Sequence, residues 1–168
     1  MSFRIPENPT PTQATWFLRF FGLTKVRMIF FCWPKVVAID DQKMVISLPL
    51  NWLTKNHMNA MYFGTLAAGA DCAAGLVAVH RIALKQMPIQ FVFKNMRAEF
   101  LKRAEGDVHL AISNIAEVKQ LVDRAANTGE RVELEIPVRA TVPSRLGDEP
   151  VAQFVLTLSL KLKATKSQ

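Results

Sequence analysis

The sequence predicts an α+β fold, a curved antiparallel sheet wrapped around one long central helix, with extra helices at the amino end and a surface helix inserted between strands. Three observations lead to it. The stretch Asn56–Val79, NHMNAMYFGTLAAGADCAAGLVAV, is small and apolar all round apart from one carboxylate, as a helix buried on every side must be. The carboxy-terminal third alternates strictly, with Val132, Leu134, Ile136 and Val138 and later Phe154, Leu156, Leu158, Leu160 and Leu162 on one side. At 168 residues and 50% hydrophobic content, the chain suits one domain with a full core. We divide that single domain, 1–168, into lid helices over 1–35 and a core over 36–162.

Pro6, Pro9 and Pro11 hold the first residues extended. Thr12 or Thr15 can then cap a helix over roughly Gln13–Phe21, ended by Gly22. Trp16, Phe17, Phe20 and Phe21 recur at helical spacing, and a second short turn, Lys25–Phe31, adds Met28, Ile29, Phe30 and Phe31. Such helices either form a plain lid over a sheet, or make a wall for a greasy substrate or a membrane-touching face. Arg19, Lys25 and Arg27 interrupt the run too often for a bilayer span. Beyond Pro34, VVAIDDQKMVISLPL reads as strand on both sides of a turn at Asp40 and Asp41.

Seven alanines and three glycines between Ala60 and Val79 leave the central helix approachable by other backbone, and its stability must come from burial. Asp71 argues against a membrane span there, since a mid-span aspartate costs about 2.5 to 3.5 kcal/mol. After Pro88, IQFVFKNMRAEFLKRAEG reads as one long or bent strand and DVHLAIS as another. SNIAEVKQLVDRAANTGE has helical period, with Asn114 and Glu117 as a capping pair and Gly129 as the stop. RVELEIPVRATVP and VAQFVLTLSLKLKAT are antiparallel strands joined by SRLGDEP. The two ends, PENPTPTQ and ATKSQ, are expected to be loose.

The net charge of +7 and pI near 9.7 raise nucleic acid as a partner. The positive residues form no basic stripe with interleaved aromatics, and residues 106–150 are net acidic, so no nucleic-acid interface is expected. Dispersed Lys and Arg suit an anionic small molecule. Cys32 and Cys72 make no CxxC or metal-ligand pattern and read as free thiols of a reducing, cytoplasmic protein. The opening residues lack the order of a secretory signal.

Asp71 is the candidate for chemistry. It has no Lys, Arg or His within four positions, so in an apolar site it would hold its proton more tightly and serve as a general base. The plain alternative is an aspartate that finds solvent or a backbone partner. Asn56 and His57 precede the helix; if the helix starts near Ala60, Asp71 lies eleven residues along it, or ~16 Å. A two-fold dimer with antiparallel central helices would bring Asn56 of one subunit to Asp71 of the other. The helix start, Met61–Leu66, offers unpaired N–H groups to an anion or oxyanion, and Gly64 permits close approach. His80 and His109 stand alone and read as structural, and no metal site is expected.

The run NHMNAMYFGTLAAGAD resembles the helix-start motif of hotdog-fold acyl-CoA thioesterases of the phenylacetate-pathway type, most closely a branch of domains of unknown function. The resemblance covers roughly residues 36–162. It implies a homodimer, or a tetramer built from two such dimers, acting on a fatty or aromatic acyl-CoA, with coenzyme A as part of the substrate and no other cofactor. It also implies that Asn56 positions the thioester or the attacking water, that Asp71 acts as general base or nucleophile from the other subunit, and that N–H groups near Phe63 and Gly64 hold the thioester oxygen. Two positions depart from the family: Tyr62-Phe63-Gly64 replaces His-Gly-Gly, and Asn59 replaces a glycine. A dehydratase of the same fold would pair His57 with Asp71 instead, and a catalytically silent module would only bind acyl-thioester or lipid.

Overall fold

The computed structural model describes residues 6–163. In chain order the elements are α1 (Pro11–Lys25), α2 (Arg27–Phe31), β1 (Lys35–Ile39), β2 (Met44–Leu48), α3 (Phe63–Leu84), β3 (Ile89–Phe100), β4 (Val108–Ile112), α4 (Ile115–Thr128), β5 (Val132–Thr141), α5 (Pro143–Leu146) and β6 (Pro150–Leu162). The strands form one six-stranded sheet in the order β1-β2-β4-β5-β6-β3, antiparallel throughout. Alternation along each strand sends one set of side chains inward. Met44, Ile46, Leu48, Leu110, Ile136, Phe154, Leu156 and Leu158 are all buried there.

α3 lies against that inner face and touches β2, β3, β4, β5 and β6, which is possible only if the sheet curves around it. Ala70, Ala73, Ala74 and Ala78 are fully buried, so the helix axis can approach sheet side chains as large as Phe154. At Gly69 the approach is closest: a Cβ there would stand 2.5 Å from Leu48 Cδ1 and 2.8 Å from Leu110 Cδ1. α3 is long and apolar enough to cross a membrane. Here that apolarity is spent on the sheet.

The helix starts at Phe63, later than the expected Ala60. The reason is that residues 54–62 spend their backbone groups elsewhere. Lys55 bridges to Met61, Met61 N–H donates to the Ala104 carbonyl (2.8 Å), and Tyr62 N–H donates to the Thr54 carbonyl (2.8 Å). β3 is the long strand expected after Pro88, bent by a register shift between Phe93 and Asn95. It is an edge strand, paired with β6 on one side only.

α4 packs Ile115, Val118, Leu121, Val122 and Ala125 into the core and ends at Gly129 in the left-handed region, φ 69°. Its expected Asn114 cap does not form. Asn114 sits at φ −96°, ψ 46°, outside the extended conformation that aims a cap side chain at the first turn, and its Oδ1 is buried without a partner among the described residues.

The amino-terminal stretch PENPTPTQ departs from the loose segment expected of it, because its last residues open α1. Thr10 is the cap: its Oγ1 accepts from Gln13 N–H (3.3 Å) and Gln13 Oε1 accepts from Thr10 N–H (2.9 Å). The two expected caps, Thr12 and Thr15, lie inside the helix, as does Gly22, where a Cβ would come within 2.9 Å of Phe30 N. The carboxy-terminal ATKSQ lies outside the described residues.

Thr15 ties the lid to the core. Its hydroxyl donates to the Pro11 carbonyl (2.7 Å) and accepts from Val36 N–H (2.9 Å) at the start of β1. Thr15→Val keeps the shape but removes the acceptor of a buried N–H, which costs about 1–3 kcal/mol. Urea denaturation should show a loss of that size, and a variant of unchanged stability would mean that the lid is held by packing alone.

Candidate active site

α1, the Val26 junction and α2 do not close completely on the domain beneath them. Between them and the far side of α3 is a cavity of about 470 Å³, lined by Phe17, Leu18, Phe21, Val26 and Ile29 from above, by Asp71, Cys72, Gly75, Leu76 and Val79 of α3, and by Phe91, Val92 and Phe93 of β3. The greasy face read in the first helix is therefore half right. Phe17 and Phe21 face the cavity, but Trp16 and Phe20 face outward.

Asp71 is the one ionisable carboxylate in that lining, and no Lys, Arg or His accompanies it. Among the described residues it has no salt bridge and no side-chain hydrogen bond. Burial alone therefore acts on it and pushes its pKa from 3.8 up to about 6. A carboxylate with that pKa is ionised at neutral pH yet basic enough to take a proton from water, which is what general-base catalysis requires. Cys72 beside it is buried, its thiol held protonated first by burial and then by the Asp71 charge.

Asn56 and His57 do not line this cavity, and neither do Tyr62, Phe63 and Gly64. Asn56 organises the turn before α3. Its Oδ1 accepts from Met58 N–H (2.8 Å) and Ala60 N–H (3.3 Å), and its own N–H donates to the Ala60 carbonyl (2.8 Å). The side-chain NH2 makes no hydrogen bond among the described residues and remains available as a donor. His57 is exposed on the same turn.

Asn59 completes the turn at φ 58°, the left-handed region. That explains how it can replace the glycine of the related motif: asparagine is the residue after glycine that best tolerates this conformation. Asn59→Gly should change stability by only a few tenths of a kcal/mol, whereas Asn59→Val should cost about 1–2 kcal/mol. Thermal melts of the pair provide the check, and equal melting points would remove the conformational requirement.

At the start of α3 the N–H groups of Phe63 and Gly64 make no hydrogen bond among the described residues, as the first turn of a helix requires. Over them lies an aromatic cluster. The Tyr62 and Phe63 rings stand 4.7 Å apart, Phe63 meets the edge of Phe100 at 6.1 Å, and Phe100 meets Phe154 at 5.8 Å. A Cβ at Gly64 would run into the Tyr62 ring, so this glycine makes room for that tyrosine. From Phe63 to Asp71 is eight residues of helix, about 12 Å, so one chain does not bring the helix start and the carboxylate to one reacting centre.

The sequence reading missed Phe91 and Phe93. Their spacing of two residues showed that they share a face of β3; it did not show that the face lies over Asp71. The rings meet edge to face at 5.3 Å and form one wall of the cavity. His80, read as structural, packs edge-on against Phe17 at 5.8 Å, with its pKa lowered by burial. No group of three His, Cys, Asp or Glu able to hold a metal ion is found among the described residues.

A family model described as a domain of unknown function, DUF4442, matches residues 27–159. No curated protein matches the chain. Among solved structures, a protein of unknown function from Chlorobaculum tepidum TLS is similar with a TM-score of 0.77 and 13% identity, covering 94% of this chain and 100% of its own. Thioesterase HI1161 from Haemophilus influenzae is similar at 0.66 and 11% identity, covering 98% and 100%. A variant of thioesterase PA1618 from Pseudomonas aeruginosa is similar at 0.64 and 13% identity, covering 94% and 98%. At these identities the likeness is one of fold, the hotdog, in which the sheet wraps the central helix.

Proposed function

Given that the chain belongs to the DUF4442 family, we propose that it is an acyl-CoA thioesterase that hydrolyses a fatty or aromatic acyl-CoA between the subunits of a two-fold dimer. One observation carries the reading: a lone carboxylate with a pKa near 6 set in the wall of an apolar cavity of about 470 Å³, room for an acyl group beside a general base. The thioesterases of the same fold support it.

In this mechanism the acyl group occupies the cavity, with the thioester at its mouth. Asp71 takes a proton from a water molecule as the water oxygen bonds to the thioester carbonyl carbon. The oxygen of the resulting tetrahedral intermediate is held by the N–H groups at Phe63 and Gly64 of the partner subunit, with the side-chain NH2 of the partner subunit's Asn56 as a further donor. Collapse breaks the carbon–sulfur bond. The carboxylic acid forms, and the proton held by Asp71 passes to the departing coenzyme A thiolate.

The second subunit is required because about 12 Å of helix separates Asp71 from Phe63 within one chain. The unpaired edge of β3, twelve residues long, is the natural place for the partner: joining two such edges makes one continuous sheet and sets two α3 helices antiparallel. The phosphates of coenzyme A would meet the dispersed Lys and Arg side chains.

The aromatic cluster favours a second reading. The Tyr62 ring fills the space beside Gly64 and carries the Phe63 ring against it, which narrows the approach of a thioester oxygen to the helix start and suits a protein that binds acyl-thioesters without cleaving them. Thiol release from short-, medium- and long-chain and aryl acyl-CoAs separates the two, with oligomeric mass measured by light scattering on the same sample. Release by a dimer supports the thioesterase. Binding without release by an intact dimer supports the binding module and points to Phe63. Interconversion of hydroxyacyl and enoyl thioesters that depends on His57 would replace both with a dehydratase.

A further inference from the structure

Between Glu7 and Asp40 the chain contains no aspartate or glutamate, while Arg19, Lys25, Arg27 and Lys35 all fall there. This stretch holds α1 and α2, and α1 is apolar on both of its sides. Ala14, Leu18 and Gly22 face the core. Trp16, Phe20 and Leu23, at i, i+4 and i+7, fall on the opposite side within about 60° of one another at 100° per residue. They are 61%, 68% and 51% exposed. The patch continues past the helix through Met28, Phe31 and Trp33, all exposed.

The outer face of a surface helix is ordinarily charged and polar. A run of exposed aromatic and aliphatic side chains on one face marks a surface that meets something. Trp33 adds a second sign. It sits at φ 52°, a conformation uncommon for a bulky residue, and is held there by Arg19, whose guanidinium lies 4.2 Å over the indole and whose Nε donates to the Pro34 carbonyl at 3.0 Å. The fold thus tolerates local strain and leaves an indole in water.

We propose that the α1–α2 surface docks on an anionic lipid bilayer, the protein resting on one leaflet without crossing it. Charge selects this occupant. A two-fold contact between copies through this stretch would bring four cations from each side together, with no acid inside the stretch itself to answer them. A leaflet rich in anionic headgroups answers them directly. Aromatic side chains flanked by Lys and Arg are the composition that lies at a headgroup boundary. The inner sides of the same helices, Phe17, Phe21, Val26 and Ile29, roof the Asp71 cavity. Docking therefore sets the roof of that cavity against the membrane, where acyl chains partition.

The test is flotation of the full chain with vesicles of phosphatidylcholine alone and of phosphatidylcholine mixed with phosphatidylglycerol. Binding to the anionic vesicles should be about tenfold stronger or more, and it should weaken as salt rises from about 0.1 M to about 1 M. Trp16→Ser, Phe20→Ser and Leu23→Ser combined should abolish flotation while the protein stays folded with only a modest drop in melting temperature, because those side chains are half or more exposed. Lys25→Glu, Arg27→Glu and Lys35→Glu combined should remove the preference for anionic lipid. No binding to either vesicle, or equal binding to both that survives the triple serine variant, overturns the proposal. A triple serine variant that alters oligomeric mass and leaves flotation intact also overturns it and makes the stripe a contact between copies.

Discussion

Replacing Asp71 with asparagine is expected to remove the proposed thioester hydrolysis and, at neutral pH, to make the protein more stable. The two effects share one cause. Burial holds the Asp71 pKa near 6 in the folded protein, against 3.8 for the free side chain. Below about pH 3 the group is neutral in both folded and unfolded chains, and its burial carries no electrostatic penalty. As pH rises from about 4 to about 6, the unfolded chain releases the proton while the folded one keeps it, and stability falls. Above about pH 6 both are ionised and the whole penalty, of order 3 kcal/mol, stands.

Asparagine is nearly the same shape and is never charged, so Asp71→Asn should gain about 1–3 kcal/mol at pH 8 and almost nothing near pH 3. The same substitution removes the base and should lower kcat by roughly 10²- to 10⁴-fold. On the proposed thioesterase reading, kcat/KM of the unaltered protein should rise with pH through a midpoint near 6. Urea denaturation at the two pH values and initial rates across the range give both halves of the result. A variant that loses stability together with activity would make Asp71 a structural carboxylate, and a variant that keeps its activity would remove it from the chemistry.

That Asp71 is a lone carboxylate in apolar surroundings was legible in the sequence, because nothing around it could neutralise it and a charge alone among alanines and glycines can be read from composition. The wrapped helix was legible for a related reason. Ala70, Ala73 and Ala74 leave space on the helix that only an opposing set of large inward residues, those of β2, β4, β5 and β6, can fill. The cavity was not legible. It exists because α1 and α2 stand slightly off α3 and β3, and such a gap depends on how four elements settle against one another, whereas periodicity describes each alone. The caps failed for a local reason. Thr10, Thr12 and Thr15 all precede or enter the same helix, and only the capping box with Gln13 distinguishes the first of them. Asn59 shows the reverse: a departure from the related motif is explained once its positive φ is known.

On the proposed thioesterase reading, Gly75→Leu is expected to change which acyl groups are hydrolysed. Gly75 forms part of the cavity wall one helical turn beyond Asp71, and a Cβ there would stand 3.0 Å from Phe91 Cζ, with Phe93 Cε2 at 3.6 Å. The contact is with the tip of a ring, which can move by the few tenths of an ångström required, and removing a helical glycine returns up to about 1 kcal/mol. The variant should therefore fold. Its four added carbons project from the cavity wall beside Phe91 and Phe93, and on the proposed reading they take space that the acyl chain would use. Excluding four methylenes at about 0.8 kcal/mol each amounts to roughly 3 kcal/mol, or about 200-fold in kcat/KM for chains long enough to pass Gly75. Acyl groups too short to reach it should be hydrolysed at the original rate, because the proposed base, Asp71, and the proposed N–H donors at Phe63 and Gly64 are untouched. Comparing kcat/KM across chain lengths for Gly75→Ala and Gly75→Leu locates the chain. A graded loss confined to long substrates places it in this cavity, and a uniform loss at every length would mean that the acyl group binds elsewhere and that Asp71 faces only its carbonyl end.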